Sequence, residues 1–452
     1  MSDGLFHFAV LVSSIVFVVI TTTRFKLHPF LSLLVAAYGM GLGSGLSPVQ
    51  TVGAITGGFG KTIGYIGIVI ACGCIIGTAL ERSGCAMVMA TKILQLIGRT
   101  RSVLAMSITG AVVSIPVFCD SGFVILSPLA RSLARQTGKS LAGFAVALSM
   151  GLYATHVLVP PTPGPIAAAG ELRADLGTVI LLGLLVAVPV VATTYAYAQW
   201  VGRRIMIDPN KGGDATEAVG AVTARPESSA LAAFTPILFA VLLIAMRSVV
   251  ELPTRPLGDG DLRGTLGLLG DSNTALMLGV FMAWFMVRRH GLETFGTWCG
   301  TGLHDSGTII LITAAGGAFG GVLRETPLAG LVGTGFASLQ LGSASILLPF
   351  IVAAGLKTAI GSSTVAIITT ASLVAPLLPS MGLSAGYGPA LSTLAIGAGS
   401  MMVSHVNDSD FWVITQMSGM TVPQGYRLIT VASAVAGLTG IAAVGLLGFV
   451  LP

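Results

Sequence analysis

Asp120 stands in the run Ile115-Pro-Val-Phe-Cys-Asp-Ser-Gly-Phe123, amid apolar residues. An ionisable group at bilayer depth costs about 2.5 kcal/mol or more and is a functional candidate by default. Burial favours the neutral form of a carboxyl group, the condition that a proton-coupling residue needs. The alternative is a carboxylate that pairs with an arginine or caps a half-helix. A second concentration of polar groups is Ser404-His405-Val-Asn407-Asp408-Ser409-Asp410, between apolar stretches. So many acidic, amide and imidazole groups together are hard to explain as packing, although a surface loop could hold them.

Ser121, Gly122, Ser362, Ser363 and Thr364 have the character of hairpin tips. Small hydroxyl residues let the N–H groups of a helix N-terminus approach an anion and add donors of their own; the same residues also simply pack membrane helices. His156 precedes Val159-Pro-Pro-Thr-Pro-Gly-Pro165, where four prolines forbid regular helix and free backbone groups to line a cavity. A lone histidine is also a common satisfied core residue. Lys357, just before the Gly361-Ser-Ser-Thr364 tip, offers a positive charge to an anion or snorkels to the interface, and Lys61 has the same two readings. The pairs Glu81/Arg82 and Arg324/Glu325 read as helix ends that pair with one another. No P-loop, zinc signature or nucleophile elbow is present, so neither ATP-driven nor hydrolytic chemistry has support. The five cysteines have no paired metal-ligand spacing beyond Cys72-x-Cys74, so no metal site and no cofactor is expected.

The elements that must position these groups are membrane helices. Of 452 residues 54% are hydrophobic and only 9% charged, against roughly 25% charged in a soluble domain, and the mean hydropathy is +0.90. The net charge of +5 lies at segment ends, which is a topology signal and not a nucleic-acid patch. Apolar runs of spanning character fall at 5–23, 29–45, 63–80, 103–118, 141–159 and 176–201, and again at 230–250, 274–287, 308–323, 344–356, 388–403 and 428–451. The first follows Asp3 with no basic residue ahead of it, so it reads as a retained helix and not as a leader. The stretches 119–134, 160–170 and 361–379 mix apolar residues with Ser, Thr, Gly and Pro, as re-entrant or broken helices do. Basic pairs at Arg24/Lys26, Arg203/Arg204 and Arg288/Arg289 place those loops in the cytoplasm. The expected organisation is a first membrane half (1–202), a polar linker (203–229) and a second half (230–452).

A shift of 243 positions pairs Gly64 with Gly307, Gly73 with Gly316, Gly77 with Gly320 and Leu80 with Leu323. The same shift lays Cys119-Asp120-Ser121 on Ser362-Ser363-Thr364, and a slightly larger one lays His156 on His405. Such a duplication places a substrate near the midplane, at discontinuous helices where the halves meet.

Three segments, Pro116-Val-Phe-Cys-Asp-Ser-Gly-Phe-Val-Ile-Leu-Ser-Pro128, Ala354-Gly-Leu-Lys-Thr-Ala-Ile-Gly-Ser-Ser-Thr364 with its continuation to Ala371, and His405-Val-Asn-Asp-Ser-Asp-Phe-Trp412, resemble the gluconate:proton symporter (GntP-type) family of bacterial permeases. With the His156-Val-Leu-Val-Pro-Pro161 stretch between the first two, the likeness runs along nearly the whole chain. It implies an all-α polytopic protein of the bacterial inner membrane, with about 12–14 transmembrane segments in two inverted-topology repeats with re-entrant hairpins and broken helices. It also implies a homodimer and proton-driven uptake of a small hydroxylated carboxylate, with gluconate, other sugar acids, glycerate and D-serine as the family's range. Asp410 is a departure, because the family pattern often has glycine there; an added negative charge beside an anion site disfavours a sugar acid unless it points away or is protonated.

The expected site has a substrate carboxylate at the half-helix N-termini of Ser121/Gly122 and Ser362/Ser363/Thr364. His156, His405, Asn407 and Ser409 contact its hydroxyls, and Asp120 or Asp408 carries the proton. Sodium coupling is the nearest rival. A passive channel or exporter, and an intramembrane enzyme, are more distant ones.

Overall fold

The computed structural model describes residues 2–210, 230–250, 261–326, 345–406 and 408–451. Among them there is helix and no strand. The first half consists of α1 (Ser2–Thr23), α2 (Pro29–Gly43), α3 (Pro48–Arg82), α4 (Cys85–Ile97), α5 (Ser102–Val113), α6 (Cys119–Thr137), α7 (Leu141–Leu158), α8 (Pro163–Leu172) and α9 (Leu176–Arg204). The second consists of α10 (Ala230–Val250), α11 (Asp261–Leu269), α12 (Ser272–Val287), α13 (Leu292–Glu325), α14 (Leu347–Ile360), α15 (Ser363–Val374), α16 (Gly388–Ser400), α17 (Ser409–Ser418) and α18 (Val422–Val450). Helix α9 carries through Arg204, two residues into the expected linker, and residues 211–229 of that linker lie outside the described ones.

Among the described residues, five elements are long and apolar enough to cross a bilayer by themselves: α3, α7 with α8, α9, α13 and α18. A sixth is the bent pair of α11 with α12, which meet at 64°. Helices α2, α4, α5, α14 and α15 have 12–15 residues, below the roughly 20 needed to span, whereas α1 has 22 and α10 has 21. The runs 29–45 and 103–118 are cut shorter, at Gly43 and Val113, whereas 63–80 and 308–323 lie within the longer α3 and α13. Between α14 and α15 the break is Gly361 at φ +87°, a left-handed conformation that costs glycine nothing. Between α7 and α8 it is the proline-rich link, and α8 starts on Pro163 at a position whose missing N–H has no helical partner to lose.

Helix α7 is buried at every one of its 18 residues, as expected of a helix apolar all round at the centre of a bundle. The lipid-facing elements α9 and α18 are the reverse, with Leu185 and Leu446 exposed on their outer sides. The longest contact pairs α3 with α13. A β-carbon on Gly58 would meet Ala318, one on Gly321 would meet Ala54, and one on Gly302 would meet Ile75. Residue numbers rise along one helix as they fall along the other, so these two helices, which correspond under the 243-residue shift, run antiparallel. Small residues at the seam let the backbones approach closely, which is how membrane helices gain packing energy in the absence of a hydrophobic drive.

Candidate functional site

Three helices begin at one cavity of about 410 Å³, within the range of small-molecule sites. They are α6 at Cys119, α15 at Ser363 and α17 at Ser409, and each starts directly after a chain break. Unpaired N–H groups and the aligned peptide dipoles make each start a region of positive potential. The three starts differ in their first turns. Helix α6 carries Asp120 there and α17 carries Asp410, whereas α15 carries no acid and opens on Ser363 and Thr364.

The two acidic starts face each other. Cys119 Sγ lies 3.2 Å from Asp410 Oδ2 and 3.5 Å from Asp120 Oδ1. Ser409 Oγ donates to Asp120 Oδ2 at 3.4 Å. One ligand atom from each of Cys119, Asp120 and Asp410 falls within a 4.8 Å cluster. Two carboxylates this close repel when both are charged, and a proton or a cationic group between them removes that repulsion. This thiol-and-carboxylate set was not legible as a metal spacing, because Cys119 and Asp410 are 291 positions apart.

Behind this cavity lies a buried ion pair. Lys357 Nζ is 2.6 Å from Asp408 Oδ2, with the side chains 0% and 2% exposed. Lys357 also donates to Gly361 O at 2.8 Å, and Ser404 Oγ donates to Asp408 Oδ2 at 2.5 Å. Asp408 Oδ1 in turn accepts the Asp410 amide at 3.2 Å and so caps α17. A buried pair with its remaining donors and acceptors satisfied is expensive to break from either side. Lys357 therefore neither snorkels nor reaches a substrate; it fixes the break before α15 to the break before α17. Tyr153, from α7, donates to Ser400 O at 2.8 Å and lies 2.5 Å from Ser363 Oγ, which locks the α15 tip onto the central helix.

The cavity brings together Asp120, Ser121, His156, Ser362, Ser363, Thr364, Asp408 and Ser409 of the residues expected from sequence. His156 is 5% exposed and its Nδ1 has no hydrogen-bond partner, which leaves it able to bond a ligand. Gly122 does not line the cavity; it sits beneath, where a β-carbon would meet the Leu152 side chain. His405 does not line it either, and its Nε2 lies 2.9 Å from Thr358 O. Asn407 lies outside the described residues. His304 and Asp305, from α13, were missed and line the cavity. The repeat offers a signal for them, since they lie 243 positions after Lys61 and Thr62.

A second cavity, of about 500 Å³, is walled by α3, the end of α8 and the end of α13. Lys61, Arg173, Arg324 and the buried Glu171 line it. Arg82 and Glu325 end α3 and α13, but Arg324 belongs to this cavity, and no pairing with Glu81 or Arg82 is observed.

A family profile described as GntP family permease matches residues 6–450. The gluconate permease of Pseudomonas aeruginosa is 32% identical over 97% of this chain and 96% of its own. The D-serine transporter DsdX of Escherichia coli K12 is 33% identical over 98% of each chain. Among solved structures the YdaH transporter of Alcanivorax borkumensis superposes with a TM-score of 0.64 at 18% identity, covering 90% of each chain. At that identity the likeness carries the fold alone.

Proposed function

The chain belongs to the GntP family of permeases, as a multi-pass transporter of inner-membrane type and not an enzyme, and on that premise we propose that it couples proton entry to uptake of a small hydroxylated carboxylate. The observation that carries the reading is the unequal charge of the three helix starts. The α15 start, with hydroxyls and no acid in its first turn, takes the substrate carboxylate on its free amides. The α6 and α17 starts, with Asp120 and Asp410, repel that carboxylate until a proton neutralises one of them. Asp120 is the proton carrier in this scheme, because Asp408 is already engaged by Lys357 at 2.6 Å and by Ser404. Substrate and proton then occupy the cavity together more favourably than either does alone, which is the energetic requirement for symport. The antiparallel pairing of α3 with α13, two helices related by the internal shift, supports inverted repeats of the kind that let such a site open to either side.

A second reading concerns the substrate. The Cys119–Asp120–Asp410 cluster favours an acid that also bears an ammonium group, since two carboxylates hold a cation better than a hydroxyl. A hydroxy amino acid such as D-serine fits both ends of the cavity, and the D-serine transporter relative makes this a direct comparison with gluconate.

Uptake of radiolabelled D-gluconate and D-serine into proteoliposomes under an imposed pH gradient, with sodium varied independently, tests both readings. Accumulation driven by the proton gradient and lost in Asp120→Asn supports the proposal. Accumulation driven by sodium at fixed pH, or retained in full by Asp120→Asn, sinks the proton role. Preference for D-serine over D-gluconate decides for the ammonium.

A further inference from the structure

The cavity between α3, α8 and α13 is not used by the scheme above, yet its chemistry is that of a binding site. Glu171 is 8% exposed. Its Oε2 accepts from Thr62 Oγ1 at 3.3 Å, while Oε1 has no partner at all. An unsatisfied buried carboxylate oxygen costs several times what a typical hydrogen bond gains, so it marks a place where something else is meant to bond. Lys61, Arg173 and Arg324 surround the same space, and no ion pair as short as 4.0 Å joins any of them to Glu171. Gly320 keeps the floor open, since a β-carbon there would stand 3.2 Å from Glu171 Oε1 and 3.8 Å from Arg324 Nη2. The acids of the adjoining cleft are committed elsewhere: Asp271 to Arg247 at 2.7 Å, and Asp175 to the Thr178 amide at 2.7 Å. Three cations against one carboxylate leave the cavity with a net positive charge.

Its position adds a second, independent argument. Lys61, Thr62, Tyr65 and Ile66 line it, and the residues 243 positions later, His304, Asp305, Thr308 and Ile309, line the cavity at the three helix starts. The two spaces therefore occupy corresponding places on corresponding helices.

We propose that this cavity is a second binding station for a small hydroxy or amino acid, whose carboxylate meets Lys61, Arg173 and Arg324 and whose hydroxyl or ammonium hydrogen goes to Glu171 Oε1. The proposal takes its ligand class from the transport reading, but it does not depend on Asp120. A carboxylate alone would be attracted by the cations and repelled by Glu171, so the site selects a ligand that carries a donor beside its acid group. Anionic lipid headgroups share the anion chemistry and lack that requirement only in part, so they are the competing source.

Calorimetric titration of the purified full-length protein with D-gluconate and with D-serine tests it. The expected result is two molecules of the favoured acid per chain, with one site lost in Thr364→Asp, which puts an acid at the start of α15, and the other weakened by about tenfold or more in Lys61→Gln and in Arg324→Gln. Lys61 and Arg324 are exposed side chains, so these variants keep the fold, and circular dichroism confirms it. Binding of a single molecule at a site that does not need Lys61 and Arg324, affinities unmoved by both cation variants, or no binding of either acid overturns the proposal. So does displacement from the cation-dependent site by phosphatidylglycerol with no competition from either acid. If the single site found is the one that needs Lys61 and Arg324, and it survives Thr364→Asp, this proposal stands and binding at the three helix starts falls.

Discussion

Two cavities lie at corresponding positions of α3 and α13, and they are charged in opposite senses. Around one, Lys61, Arg173 and Arg324 outnumber the single Glu171. Around the other, Asp120, Asp305, Asp408 and Asp410 outnumber Lys357, which is itself spent on Asp408. Had the two been lined by equivalent residues throughout, a duplicated bundle would hold a substrate equally well on both sides, and nothing would tie its movement to a proton. In the proposed scheme the asymmetry provides that tie. On the proposed reading, an acid that carries a donor enters the basic cavity as it stands, whereas the acidic one admits it only when a proton or the substrate's own cation offsets the carboxylates. A shared helical frame thus carries two differently charged cavities.

The largest effect that could break this comparison is at the ion pair. Lys357→Ala removes the counter-ion of the buried Asp408, at a cost of about 3–5 kcal/mol, and thermal unfolding monitored by size-exclusion chromatography should show a large loss of folded protein. The double variant Lys357→Met with Asp408→Leu should recover most of that stability and none of the uptake, because α17 loses its cap and its place beside α15. Recovery of uptake by the double variant would show that the pair is dispensable for the site. A smaller effect is expected at Asp410. Asp410→Asn removes one of the two facing carboxylates, and a hydrogen bond to a charged group is worth about 1.5–3 kcal/mol. The ratio of D-serine to D-gluconate inhibition constants should therefore move toward gluconate by about tenfold to a hundredfold. An unchanged ratio would mean that Asp410 does not face the substrate.

Smaller again is Ser363→Ala. Tyr153 keeps its bond to Ser400 O, so the change costs one hydroxyl contact, about 1 kcal/mol, and uptake should half-saturate at about fivefold higher substrate. The smallest expected effect separates the cavities by salt. Exposed charges are screened within about 8–10 Å at physiological ionic strength, so raising salt should weaken binding in the basic cavity of the Thr364→Asp variant. The acidic cavity of Arg324→Gln, whose ion pair is buried, should respond less. Equal salt slopes in the two variants would erase the distinction.

Much of the acidic cavity was legible in the sequence, because polar residues inside apolar runs announce themselves. Asp120, Ser121, His156, the Ser362–Thr364 tip, Asp408 and Ser409 all reach it. Roles were harder to read than places. Asp408 and Asp120 look alike as acids in apolar surroundings, and only the fold shows that Lys357, 51 positions earlier, holds one of them. His405 turned to a backbone carbonyl for a reason no spacing reveals: Thr358 O happens to end beside it. The basic cavity was illegible, since Lys61, Glu171 and Arg324 come from three distant segments and each passes for an ordinary helix-end charge. Membrane character and helix breaks were legible from composition and proline, whereas the number of elements that span singly was not, because helix length depends on where each break falls.

The central claim is that Asp120 takes up the proton that lets an acid occupy the cavity at the three helix starts. The most direct measurement is internal pH, followed with an entrapped dye, when substrate alone is added outside proteoliposomes at equal pH on both sides. The account predicts internal acidification with the wild type and with Arg324→Gln at high substrate, and none with Asp120→Asn. Acidification of full amplitude in Asp120→Asn would contradict it.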